Sequence, residues 1–240
     1  MAQKHFLAAK FWLSFRRRLV CFSGTMEKLP ENIEVFEQNA AEYDEWFVSN
    51  EFVYRAELEA VRQLIPGGRG IEIGVGTGRF AAPLGVKFGV EPAMNMALRV
   101  KERGIAVVRA VAEQLPIRNN SFDFALFVVT ICFVPEPKRA LAEIHRILRP
   151  GGEIIVGIVD IGSFLGEVYE KKRRDNKFYR PARFFSTEQV VEMLSAAGFS
   201  DFDFRQTVFD FPQNIKSPHP VKVGFGEGGF VAIKGKKEGV

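Results

Sequence analysis

Between Gly70 and Val159 short apolar runs alternate with amphipathic stretches, and this alternation constrains the chain more than any other feature. The runs at 70–74, 86–90, 105–109, 123–130 and 153–159 read as strands, while 79–84, 93–103 and 137–148 carry helical spacing. Strands separated by helices pair in parallel, in a sheet covered on both faces. Upstream, Phe36, Ala40, Tyr43 and Phe47 recur at helical spacing and predict an amphipathic helix within "EVFEQNAAEYDEWF". Downstream, "GSFLGEVYEKKRRDNKFYRPARFF" predicts a helix and then an irregular basic, aromatic segment. Ser186 can cap a helix over 187–197 that stops at Gly198. "FDFRQTVF" and "GFVAIKGK" alternate as two strands whose connection is too short for a crossover helix, so that pair is antiparallel.

No interior linker separates two cores, so residues 26–240 read as a single domain. The net charge of +4 points toward nucleic acid or a membrane surface until its distribution is considered. Five of the 33 basic residues lie in the first 25, which hold no acid, so the remaining 28 nearly balance the 29 acidic residues. The Arg16 to Arg18 cluster interrupts the apolar part of that stretch, which rules out a secretory signal or membrane span. The simplest reading is that Met26 is the working start, with a membrane-surface anchor or targeting segment as the alternative. Cys21 and Cys132 make no disulfide framework or metal cluster, and the expected compartment is the cytoplasm.

"GIEIGVGTGRF", from Gly70 to Phe80, ends a strand in a loop holding Gly74, Gly76 and Gly78, with Glu72 inside the strand. In a doubly wound sheet ligands bind beyond the carboxyl ends of the strands where the winding reverses. Glu91 ends the second strand, and a carboxylate there can accept both hydroxyl hydrogens of a ribose. An adenosine-containing ligand follows, either a dinucleotide or S-adenosylmethionine. The glycines leave both open, because Gly76, Gly78 and Ala81 satisfy the looser G-x-G-x-x-A pattern. Glu72 favours the second: a carboxylate about 4 Å from a pyrophosphate charge costs about 4 kcal/mol at an effective dielectric of about 20. S-adenosylmethionine instead brings an ammonium and a sulfonium. A plain structural role, accepting loop amides, is compatible with either ligand.

The loop, followed by "GVEP", "AEQLPIRNNSFDFALFVVT" and "EPKRALAEIHRILRPGGEIIV", resembles the class I S-adenosylmethionine-dependent methyltransferases, in particular the small-molecule group similar to ubiquinone and menaquinone C-methylases. "FEQNAAEYDEW" is similar to that group's N-terminal lid helix, and the resemblance covers about Val35 to Lys236. It implies a Rossmann-like, doubly wound α/β fold in αβα layers, with a seven-stranded sheet in the order 3-2-1-4-5-7-6 and an antiparallel last strand. It also implies that Glu72 and the Gly74, Gly76 and Gly78 backbone hold the methionine end of the cofactor, with Glu91 on the ribose. Pro92, Ala112 and Glu113 would border the adenine, Thr130 the sulfonium, and Tyr43 would close over the cofactor. Two positions depart from the family's pattern. Val111 stands where many relatives carry an acid for the adenine amine, and Ile131, Cys132 and Phe133 replace a His-rich turn, which removes an obvious base.

The reaction so implied is in-line methyl transfer to N, O or C of a small-molecule acceptor. Tyr43 and His219 are weak candidates for a catalytic group, and no metal site is expected. His145 reads as packing, Cys132 as a small buried residue, and Lys171, Lys172, Arg173 and Arg174 as a solvated face. Arg79 either pairs with the cofactor carboxylate or faces water. Residues 160–185 are expected to choose the acceptor through Phe178, Tyr179 and Arg180. The competing readings are a cofactor-binding or partner-binding module without transferase activity, and a nucleic-acid methyltransferase, which the near-neutral body disfavours.

Overall fold

The computed structural model describes residues 29–239, so the basic stretch 1–25 lies outside the described residues. Helices α1 (Glu31–Gln38), α2 (Ala40–Ser49) and α3 (Glu51–Arg62) come first. The single upstream helix expected from periodicity is therefore broken. Asn39 leaves helical geometry at φ −125°, ψ 30°, and its side-chain amide donates to the Val35 carbonyl at 2.7 Å, closing α1 just before α2 begins.

The alternating part then runs β1 (Gly70–Ile73), β2 (Phe88–Val90), α4 (Met94–Glu102), β3 (Ala106–Val108), β4 (Phe122–Val128), α5 (Pro137–Ile147) and β5 (Leu148–Val159). It is followed by α6 (Phe164–Lys172), α7 (Thr187–Ala196), β6 (Phe199–Thr207), β7 (Lys222–Val223) and β8 (Phe230–Lys237). The helix expected at 79–84 is a run of turns instead. Its backbone bonds are isolated (Ala82 N–H to Gly78 O, 3.1 Å; Leu84 N–H to Phe80 O, 3.2 Å), and Pro83 has no N–H with which to continue a ladder.

The strands form one sheet in the order β3-β2-β1-β4-β5-β8-β6-β7. Pairs among β1 to β5 are parallel, and β8 is antiparallel to both β5 and β6. This is the expected winding with the expected reversal, extended by the two-residue edge strand β7. Alternate residues of the central strands feed two cores. Ala125, Phe127, Ile154 and Val156 pack with Leu141 and Ile144 of α5 and Val190 and Leu194 of α7. Phe124, Leu126 and Ile155 pack on the other face with Val53 and Val61 of α3 and Val100 of α4. The three layers follow from that period of two.

α7 starts with a capping box: the Gln189 N–H donates to Ser186 Oγ (3.3 Å) and the Ser186 N–H to Gln189 Oε1 (2.9 Å). Among the described residues no helix is long and apolar enough to cross a membrane.

Candidate functional site

The loop after β1 is set by its own backbone. The N–H groups of Gly74 and Val75 both donate to the Val90 carbonyl, at 2.8 and 2.9 Å, which ties the end of β1 across to β2. Gly74 adopts φ +68°, and a Cβ there would overlap the Thr130 side chain, so the chain after β1 touches the chain after β4. Gly76 then turns its N–H to Glu91 Oε2 at 2.9 Å. The Ala93 N–H holds the other oxygen of Glu91, also at 2.9 Å. Glu91 is thus aimed by two amides at the end of β2.

A second set of bonds fastens the N-terminal helices over this loop. Asp44 of α2 accepts from Thr77 Oγ1 (2.6 Å), Arg79 Nε (2.8 Å) and Arg103 Nη2 (2.8 Å). Burial raises the Asp44 carboxyl, but the bonds from Arg79, Thr77 and Arg103 outweigh it and pull it down to about 2. Asn32 of α1 donates to the Phe133 carbonyl at 2.8 Å. The Phe36 ring meets Phe133 at 4.9 Å, Tyr43 at 5.7 Å and Phe178 at 5.8 Å. Lys177 donates to Asn39 (2.7 Å) and Glu42 (2.5 Å), and Arg180 to Glu31 (2.7 Å). The segment after α6 is therefore strapped to α1 and α2.

These walls enclose a cavity of about 700 Å3, within the range of small-molecule sites. Gly74, Gly76, Glu91, Pro92, Ala112, Glu113, Thr130 and Tyr43 all line it. Glu72 does not: it is 2% exposed, lies beneath the loop and accepts the Ala81 N–H at 2.8 Å. Gly78 faces Ile105 rather than the cavity. His219 is off the wall, its Nδ1 accepting the Phe209 N–H at 2.9 Å. Cys132 is buried beside Ala182 and Phe184, and burial pushes its thiol up to about 12. Arg79 takes neither expected course, since Asp44 holds it. His145 packs edge-on against Phe199 at 5.2 Å. Among the described residues no cluster of His, Cys, Asp and Glu could hold a metal ion.

Residues 71–156 match the "Methyltransferase domain" family. A solved structure from Thermotoga maritima, described as an S-adenosylmethionine-dependent methyltransferase and possible histamine N-methyltransferase, superposes with a TM-score of 0.85 at 52% identity, covering 86% of this chain and 100% of that one. This chain belongs to the S-adenosylmethionine-dependent methyltransferases. An uncharacterized protein of Methanocaldococcus jannaschii is 46% identical over 205 residues, covering 85% of this chain and 100% of that protein. "Phospholethanolamine N-methyltransferase 2" of Haemonchus contortus, solved with S-adenosylhomocysteine, shares the fold at a TM-score of 0.59 and 16% identity, over 88% of this chain and 61% of that one.

The donor set of this methyltransferase suits its cofactor. Each Glu91 oxygen accepts one amide, and a carboxylate with about four acceptor sites retains capacity for both hydroxyls of a diol. Arg79 and Arg103 beside the loop are both committed to Asp44, so neither is left to face a pyrophosphate.

Sequence reasoning missed Asp44, and it missed Glu57. Glu57 of α3 is 5% exposed and lines the cavity. Its signal in the sequence is a charge on the stripe formed by Val53, Ala60, Val61 and Leu64. Burial pushes its carboxyl up to about 8, pushes Glu72 to about 8 against the Ala81 bond, and pushes Glu91 to about 7 against the Ala93 and Gly76 bonds.

The folded chain therefore keeps protons on these acids that the unfolded chain releases near 4.5. Stability from these groups is full below about pH 4.5 and is lost as pH rises toward 8. Asp44 acts in the opposite sense, its contribution vanishing as pH falls from about 4 to 2. Thermal melts of the free protein are expected to decline from pH 5 to 8, and Glu57→Gln is expected to flatten that decline. A melting temperature that rises across this range in the wild type would show that these carboxyls are charged in the folded chain.

Proposed function

We propose that this enzyme moves a methyl group from S-adenosylmethionine to N, O or C of a small organic acceptor. The observation that carries the reading is a single cavity with the glycine loop and Glu91 on one wall and Phe36, Phe133, Phe178 and Tyr179 on others. When bound, the cofactor supplies a sulfonium-activated methyl that a nucleophile displaces in line, so alignment and exclusion of water do most of the work. Glu91 holds the ribose, and the Gly74 to Gly76 backbone and Thr130 face the methionine end. Pro92, Ala112 and Glu113 border the adenine, while Val111, half in solvent at 37% exposure, offers only an apolar edge. Tyr43 covers Gly76, its hydroxyl 3.5 Å from where a Cβ would stand, and shields the reacting atoms. Glu72 acts from below by fixing the loop through Ala81. The cytoplasm is the compartment this reading takes.

The test is a mass-spectrometric screen of candidate acceptors with methyl-labelled cofactor. Transfer of one label to a small molecule supports the reading, and label appearing only in nucleic acid would overturn it.

The acceptor end is assigned to the segment after α6, with one correction. Phe178 and Tyr179 line the cavity, whereas Arg180 is exposed and paired with Glu31 at the surface. Phe178→Ala and Tyr179→Ala are expected to raise the acceptor KM about tenfold, the loss of about 1.4 kcal/mol of contact, while the dissociation constant for S-adenosylhomocysteine stays within a few-fold. Arg180→Ala removes an exposed ion pair of about 0–1 kcal/mol and is expected to leave both constants nearly unchanged. Steady-state kinetics and calorimetry on the three variants check this; equal effects on cofactor and acceptor would move the acceptor pocket elsewhere.

A further inference from the structure

Five carboxylates are buried among the described residues: Asp44, Glu57, Glu72, Glu91 and Asp160. Four of them have partners. Asp44 holds Thr77 and its arginines, Glu72 the Ala81 amide, Glu91 the amides of Gly76 and Ala93, and Asp160 the hydroxyl and amide of Thr187. Glu57 accepts no hydrogen bond and forms no ion pair with any described residue, yet it is 5% exposed and stands on the cavity wall. Its oxygens open on the cavity, the fully buried side-chain oxygen without a partner among the described residues being Glu153 Oε2, and the desolvation that the surroundings impose on the unpaired Glu57 carboxyl costs free energy in the free protein. A ligand that completes it recovers that cost.

The surroundings define the ligand's chemistry. Tyr169 and Tyr179, stacked with ring centroids 4.5 Å apart, line the same cavity, as do Phe178 and Tyr43. Burial raises the Tyr169 and Tyr179 phenols, and the charge of Glu57 adds to the rise at both, as it does at Tyr43 and Tyr54 beside the glycine loop, so the carboxylate stands between that loop and the side of the cavity that α6 and the segment after it close. An acid set among aromatic faces suits a cation that carries hydrogen-bond donors, because the acid pairs with the charge and the rings attract it through their quadrupoles. The same acid repels carboxylate and phosphate groups.

We propose that Glu57 is the acceptor-recognition residue of this cavity and that the acceptor it selects carries a protonated amino group, paired with the carboxylate and packed against the tyrosines. This rests on the methyltransferase reading of the cavity. Glu57 takes no part in holding the cofactor.

The test uses the full chain and a matched panel of n-butylamine, 2-phenylethylamine and 4-phenylbutylamine beside the corresponding alcohols, titrated by calorimetry with and without S-adenosylhomocysteine. At least one amine is expected to bind at least tenfold more tightly than its alcohol. Glu57→Gln is expected to abolish that preference, and Glu57→Asp, whose carboxylate is one methylene shorter, to reduce it. Titration in buffers of different ionisation enthalpy is expected to show proton release when the amine binds the wild type at pH 7, and none in Glu57→Gln. The Gln variant is expected to melt at or above the wild type at pH 8, which shows that it folds. The proposal is overturned if no amine outbinds its alcohol, or if Glu57→Gln keeps the preference. It is equally overturned if Glu57→Gln weakens S-adenosylmethionine or S-adenosylhomocysteine as much as the amine, which would place Glu57 in the cofactor half. A wild-type chain that binds no S-adenosylhomocysteine counts against the cofactor site alone, since the amine–alcohol contrast without it reads on Glu57 directly.

Discussion

Gly74→Val is expected to lower the stability of this enzyme by about 2–5 kcal/mol and to abolish cofactor binding. Two costs add. Position 74 has φ +68°, where a side chain costs about 1–2 kcal/mol and a β-branched one is worst placed. The new Cβ also overlaps the Thr130 methyl, and relief by backbone movement costs about 1–3 kcal/mol more. Any movement there pulls the Gly74 and Val75 amides off the Val90 carbonyl and so disturbs the loop that presents Gly76. For a domain of this size the melting temperature falls by roughly 5–20 °C. A thermal melt checks it: a variant that melts with the wild type and still binds S-adenosylhomocysteine would mean that the loop and Thr130 are not in contact.

Glu91→Ala is expected to weaken S-adenosylmethionine and S-adenosylhomocysteine alike, by about 1.5–3 kcal/mol, or roughly 10- to 150-fold. The two ligands share the ribose and differ at sulfur, so equal losses identify the contact. The substitution also orphans the Gly76 and Ala93 amides, and Gly76 lies on the cavity wall. Glu91→Gln, which keeps an acceptor oxygen, is expected to lose less. A variant that discriminates between the two ligands would put Glu91 near the sulfur instead of the ribose.

The parts of the fold legible in the sequence are those where one local pattern decides. β1, β4 and the part of β5 from Ile154 on are apolar runs because both faces of the sheet are covered, and their burial is continuous or nearly so. The Ser186 cap and the stop at Gly198 are likewise local, and α7 runs between them. Local reading failed where a single residue overrides the pattern. Asn39 splits one amphipathic stretch into α1 and α2, and Pro83 turns a helical spacing into turns. It failed again for α3, whose apolar stripe is interrupted by Glu57 itself.

In the site, the residues on the strand ends reached the cavity because the winding of the sheet puts every such end on one side. What the sequence concealed depends on partners far apart in the chain. Asp44 gains its meaning only beside Thr77, Arg79 and Arg103, and Arg180 is diverted from the cavity only by Glu31. Val129, a β-branched residue at φ +50° on the cavity wall, is held there by its N–H bond to the Gly157 carbonyl at 2.8 Å, strain that no local preference would foretell.

The glycine loop and Glu91 can accept one of two adenosine ligands, and calorimetric titration of the full chain with S-adenosylhomocysteine and with NAD decides between them directly. Single-site binding of S-adenosylhomocysteine, weakened by Glu91→Ala, with no heat from NAD, is the result predicted. Tight binding of NAD with none of S-adenosylhomocysteine would contradict it.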